Sequence, residues 1–171
     1  MSDRWLRGVT LIELLISLSI AVVLLAGAVP AFRGMLERLR LTTTTNELVL
    51  AINLARTEAT SRHGRVAIVP QAPGDWASGW HVFIDRNDNG VLDPDEAILR
   101  TFEAIPARMT IGATFGGFDG HVLSFDHAGL LRRPGSNGMM LGRMTLTSDS
   151  NVRTICFSAA SVRTVQAAAC A

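Results

Sequence analysis

Residues 9–32 (VTLIELLISLSIAVVLLAGAVPAF) form an almost unbroken apolar run whose single charge is Glu13. About 20 apolar residues in a helix span the hydrocarbon of a bilayer, so this run is long enough to cross one. From Phe32 to Arg62 the pattern changes. Met35, Leu36, Leu39, Leu48, Ile52, Ala55 and Ala59 recur at spacings of mostly three or four, an amphipathic helical face that is weakest from Thr42 to Thr45. Gly64, just behind Arg62 and His63, is a helix stop, and Pro30 is a kink position. The two stretches predict one helix of about 50 residues, apolar all round at first and one-sided later.

Beyond Gly64 no helical period survives. Short strands are expected at Arg65–Val69, Gly79–Ile84, Ala97–Phe102, Met109–Ala113, His121–Phe125, Gly142–Thr147 and Thr154–Ser158. Turn residues separate them, notably Pro70–Gly74, Gly116-Gly117 and Pro134–Gly138. The expected fold class is α+β, antiparallel sheets packed on the amphipathic half of the long helix.

The 171 residues suit one modest domain with an accessory segment. At 48% hydrophobic and a net formal charge of +1, the chain is neither disordered nor a nucleic-acid-coating tail. All 16 basic residues are arginine, and there is no tyrosine. Charge is uneven along the chain. Residues 75–126 carry a net −6 and residues 127–171 a net +4, a distribution that suits docking between subunits. His63, His81, His121 and His127 show no zinc spacing, and no nucleophile elbow, P-loop or dinucleotide fingerprint is present, so no catalysis is expected.

The N-terminus admits two readings. Arg4 and Arg7 hold the short tail of residues 1–8 on the cytoplasmic side, which sends the rest outward. A secretory signal peptide cut near Ala26-Gly27-Ala28 discards the apolar run; a membrane helix keeps it. Glu13 favours retention, because a carboxylate in an apolar span costs roughly 2–3 kcal/mol and calls for a function. Export also makes Cys156 and Cys170 a disulfide rather than two thiols, closing a short loop for about 3 kcal/mol of stabilisation.

Gly8 followed by Val9-Thr10-Leu11-Ile12-Glu13-Leu14 resembles the type III signal of type IV pilins and pseudopilins. The resemblance implies that a prepilin peptidase cuts after Gly8 and that Val9 is then N-methylated. The family usually has phenylalanine where this chain has Val9. Pro30 falls where pilins commonly carry a helix-bending proline. The organisation this implies is a leader at 1–8, a transmembrane and filament-core helix at 9–32, an amphipathic continuation at 33–63 and a β-rich head at 64–171. The cut leaves a positive α-amino group at Val9, one helical turn from Glu13, which can pair with a neighbouring subunit's amino group in a low-dielectric filament core.

Asn46-Glu47-Leu48, Leu54 to Ala59, Gly79 to Asp85 and Ile98-Leu99-Arg100 are further similar to the GspH/FimT pseudopilin family. That resemblance implies a minor subunit of a type IV pilus or a type II secretion pseudopilus, seated in the initiating or tip complex. The implied partners are other minor and major pilins or pseudopilins, the prepilin peptidase and the inner membrane, with the head in the periplasm. No cofactor is required.

Two further sites are readable. Asp85 to Glu96 fits an EF-hand loop as a string, which gives Asp85, Asn87, Asn89, Asp93 and Glu96 as side-chain calcium ligands, with the Val91 carbonyl. Its strand-like flanks equally suit a hairpin loop rich in turn residues. Some FimT proteins resembling this chain bind DNA for transformation through a Gly-Arg-x-Arg motif. The corresponding stretch here is Ala160-Ser161-Val162-Arg163, with Arg132, Arg133, Arg143 and Arg153 as supplementary phosphate contacts.

Overall fold

The computed structural model describes residues 9–116, 121–136, 138–149, 151–158 and 161–170, and only the backbone at 28–31. One helix, α1, runs Leu11–Arg62. The contacts divide the chain into two units, residues up to Glu37 and residues from Arg38 onward.

In the first unit the apolar side chains stand exposed on every face, among them Leu11, Ile16, Val23 and Leu25. A helix that is apolar all round needs a nonaqueous or protein surrounding. Its start is built locally. The Thr10 hydroxyl accepts the Glu13 N–H at 3.3 Å, the first half of a Thr-x-x-Glu capping box. The expected kink at Pro30 rests on a side chain outside those described; the helix assignment is unbroken there.

In the second unit α1 buries Leu41, Thr44, Thr45, Leu48, Ala51, Ile52, Ala55 and Ala59. This corrects the expected face at its start. Met35, Leu36 and Leu39 are exposed, and the threonine tract, the expected weak point, carries the stripe. The reason is hydroxyl chemistry. Thr45 donates to the Leu41 carbonyl one turn back at 2.6 Å, so its polar atom is satisfied while its methyl packs.

The helix ends through His63, not Gly64. His63 takes the left-handed conformation at φ 53°, and Gly64 N–H reaches back to the Ala59 carbonyl at 3.2 Å.

Nine strands follow: β1 Val66–Ala72, β2 Asp75–Ile84, β3 Ile98–Phe102, β4 Met109–Phe115, β5 Leu123–Phe125, β6 Leu131–Arg132, β7 Gly142–Ser148, β8 Asn151–Phe157 and β9 Val162–Val165. They form two antiparallel sheets, ordered β3-β2-β1-β5-β6 and β4-β7-β8-β9. The seven expected strands are present with shifted ends. β6 and β9 are additions, too short to show alternation. β1 also continues through Pro70, which was expected to open a turn. Pro70 lies beyond the residues of β1 that pair with β5, at a break in the β1–β2 register, where a missing N–H is tolerated.

One core joins the helix to both sheets, with Leu48, Ile52 and Ala55 among Trp80, Phe125, Met144 and Ile155. Trp80 stacks on Phe102 with centroids 5.4 Å apart. A second, smaller core of Ala67, Phe83 and Val122 lies on the other face of the first sheet, capped by Val69 and Leu92. The β5–β6 turn meets the helix at Gly129, whose φ is +71°. A Cβ there would stand 2.9 Å from Arg56 Cγ and 3.0 Å from Thr60 Cγ2, so glycine is required on two counts.

Candidate functional site

Gly8, the expected cleavage residue, lies outside the described residues, and Val9 is the first described one. Val9 and Glu13 are both exposed, and the described interactions of the Glu13 backbone are local: the Thr10 cap and the Ser17 hydroxyl, which donates to the Glu13 carbonyl at 2.8 Å. The carboxylate thus stands on the first turn of an apolar helix, where the helix dipole favours it. The capping threonine was missed in the sequence reading, although the Thr-x-x-Glu spacing announces it.

Cys156 and Cys170 form a disulfide with Cα atoms 5.9 Å apart. Cys156 is buried on β8, so the bond ties the segment after β9 to the second sheet. Thr154 reinforces this tie by donating its hydroxyl to the Ala167 carbonyl at 2.5 Å.

The five arginines fall into separate places. Register pairs Arg143 with Cys156 and Cys156 with Arg163, so Arg143 and Arg163 share the outer face of the second sheet, two strands apart. That spacing is roughly 10 Å between backbones. Arg153 pairs with the buried Leu146 and so belongs to the opposite face. Arg132 ends β6 in the other sheet, Arg133 follows it, and both hold structure together. Arg132 Nε lies 3.1 Å from Asp126, and Arg133 donates to the Gly116 carbonyl at 3.2 Å. The first residue of the arginine-motif stretch, Ala160, lies outside the described residues.

Asp126 organises the β5–β6 turn. One carboxylate oxygen accepts the N–H groups of Ala128 and Leu130, each at 2.9 Å, and the other accepts Arg132. Burial alone would raise this carboxyl, but the Leu130 N–H, Arg132 and the Ala128 N–H outweigh it and hold it below the usual value. A group depressed in the folded state stabilises above its unfolded pKa, and that stability is lost as pH falls through the folded value. Asp126→Asn is therefore expected to lower stability on the order of 2 kcal/mol at neutral pH. The difference from wild type should shrink below about pH 4, as followed by thermal unfolding across pH.

The Asp85–Glu96 loop is closed by its own hydrogen bonds. Asp85, 2% exposed, accepts Asn89 N–H and Gly90 N–H; Glu96 accepts Arg86 N–H and Asp93 N–H. The amides of Asn87 and Asn89 both donate to Asp93 at 2.8 and 2.9 Å. Arg65 pairs with Asp88 at 3.0 Å. Burial pushes the Asp85 carboxyl up against the opposing Gly90 N–H, and the charges of Glu96 and Asp88 add to the rise. Among the described residues no three acidic, histidine or cysteine side chains converge as metal ligands. A cation held by Asp85, Asn87, Asn89, Asp93 and Glu96 would have to displace these hydrogen bonds.

An apolar helix with a carboxylate in its first turn, continuing into a helix face that carries two antiparallel sheets, is the architecture of pilin-like subunits. Residues 44–161 match the Type II transport protein GspH family, and residues 7–29 match the prokaryotic N-terminal methylation motif. The chain is 30% identical over 154 residues to the pilin-like protein PilA1 of Thermus thermophilus, covering 89% of this chain and 93% of that one. In fold it is similar to the type IV minor pilin FimU of Pseudomonas aeruginosa in two crystal forms. The first gives a TM-score of 0.56 at 22% identity over 74% of this chain and 89% of that one. The second gives 0.54 at 20% identity over 72% and 91%. The chain belongs to the GspH family of type IV minor pilins and pseudopilins.

Proposed function

We propose that this chain is a structural subunit, not an enzyme, anchored in the inner membrane with its head in the periplasm. It is cut after Gly8 by the prepilin peptidase, methylated at Val9 and assembled with other pilins in the initiating or tip complex of a type IV pilus. The observation that carries this reading is Glu13, a carboxylate one turn from the new N-terminus on a helix whose apolar side chains are exposed all round. The subunit's work is non-covalent. Apolar faces bury against neighbouring helices, and Glu13 matches a neighbour's Val9 amine. The same features suit a type II secretion pseudopilus.

Mass spectrometry of the mature N-terminus tests the processing. The expected first residue is N-methylvaline at position 9. A chain beginning after Ala28 would make this an ordinary secreted protein and end the proposal.

A second reading, DNA binding, is favoured by one observation: Arg143 and Arg163 share one outer face. Phosphate contacts of this kind release counterions, so binding must weaken with salt. Full-length protein in neutral detergent is expected to hold duplex DNA at low salt, and Arg143→Ala with Arg163→Ala to weaken it. No binding at low salt removes this reading and leaves those arginines as contacts to neighbouring subunits.

A further inference from the structure

We propose that the pocket formed by Arg38, Asn151, Arg153 and Gln166 holds the phosphate of an anionic phospholipid headgroup. The cavity measures about 390 Å³ and is completed by Leu41 and Val152. Two arginines, an asparagine and a glutamine line it, and among the described residues no Asp or Glu does. Neither Arg38 nor Arg153 is in an ion pair among the described residues. Guanidinium forks match phosphate oxygens in bidentate geometry, while the amides offer neutral N–H donors. The pocket is thus a polar hollow lined by two arginines, with no counterion among the described residues.

Position along the chain selects the lipid. Arg38 follows Phe32, the end of the apolar run, by six residues, which at full extension is at most about 20 Å. A headgroup is within that reach for any subunit whose apolar run lies in the bilayer, so the inference rests on the membrane-anchored reading above. The flanking charge points the same way. Arg33, Arg38 and Arg40 follow the run on the exported side, against Arg4 and Arg7 before it, although basic residues normally gather on the cytoplasmic side. Arginines placed against that bias have a use at the outer headgroup layer. A concave pocket also takes a single phosphate, whereas a nucleic acid calls for a track of contacts along its backbone.

The disulfide enters the site as well. Gln166 lies in the segment that Cys170 and the Thr154–Ala167 hydrogen bond hold to the second sheet. The intact pocket therefore belongs to the oxidised protein.

The test is thermal unfolding of the full-length chain in neutral detergent, with dihexanoyl phosphatidylglycerol or dihexanoyl phosphatidylcholine added in parallel. Phosphatidylglycerol is expected to raise the midpoint and phosphatidylcholine to leave it unchanged. Arg38→Gln and Arg153→Gln should each weaken the apparent affinity about tenfold, the loss of one charge-assisted contact. Arg100→Gln, on β3 of the other sheet, should leave it unchanged, and reduction of the disulfide should weaken it. Arg38 is exposed, so its variant carries the test if Arg153→Gln does not fold. The proposal is overturned by no preference for phosphatidylglycerol, by a shift indifferent to both substitutions, or by an equal shift from inorganic phosphate at equal concentration. A shift produced by duplex DNA through Arg153, with the lipid inert, overturns it in favour of nucleic acid. The measurement needs no assembly, so its failure beside an N-methylated Val9 refutes the pocket alone, while an unprocessed chain refutes the pilin reading.

Discussion

Glu13→Ala is expected to leave cleavage after Gly8 intact and to reduce incorporation into filaments at least tenfold, read by immunoblot of sheared filaments against the membrane fraction. In the proposed processing, cleavage frees the α-amino group of Val9, four residues or about 6 Å of helix rise from Glu13. In the proposed filament both charges would enter a core of apolar side chains, where an unpaired charge is costly, so each would need an opposite charge on a neighbouring subunit. A tenfold loss corresponds to about 1.4 kcal/mol, well below the roughly 3–5 kcal/mol typical of breaking a buried pair. Glu13 also sits at the third position of the Thr10-capped turn. Glu13→Gln separates the two roles, because glutamine serves a capping box as well as glutamate but carries no charge. Loss of incorporation in both variants supports the ion pair. Normal incorporation of Glu13→Gln would show that capping is what matters and refute the pairing.

Cys156→Ser combined with Cys170→Ser should give the largest loss of stability in the head. A loop closed across a sequence separation of 14 restricts the unfolded chain by about 3 kcal/mol. For a domain of this size that is a fall of roughly 10 °C in the unfolding midpoint, measured by circular dichroism. Hydrogen exchange should localise the change to β9 and residues 166–170, where the Thr154–Ala167 bond loses its tether. An unchanged midpoint between the oxidised protein and the double variant would mean that packing alone holds this segment.

The N-terminal half was readable because its signals are local. A run of apolar residues, a glycine before it and a glutamate within it need no tertiary information, and the α1 period survives in the chain as spacing. Where that reading went astray, at Leu36 and Leu39 against Thr44 and Thr45, it took hydrophobicity alone as the mark of a buried face. Threonine is polar as a free residue and half-apolar once its hydroxyl bonds back to the helix. The helix stop was misplaced by one residue for a similar reason. Histidine tolerates the left-handed conformation less readily than glycine, but the Gly64–Ala59 bond holds it there.

The head divides more sharply. Its strands and the expectation of a disulfide came from alternation, turn residues and export, all properties of short stretches or of the compartment. The grouping of its charges did not. Arg143 and Arg163 lie 20 residues apart and became neighbours only because β7, β8 and β9 pair in one register. Arg153, between them in sequence, went to the opposite face because side chains alternate across a strand. Arg38 and Arg153 meet in one pocket for the same reason, as helix and sheet close on a shared core. The Asp85–Glu96 string likewise gives no account of which of its side chains hydrogen-bond one another within the loop. By itself the sequence determined the membrane-length helix, the α+β class and the family, because these follow from periodicity and local motifs. Only the tertiary structure decided which distant side chains share a surface, because that depends on strand order and register, and a shift of one residue would send every side chain of a strand to its other face.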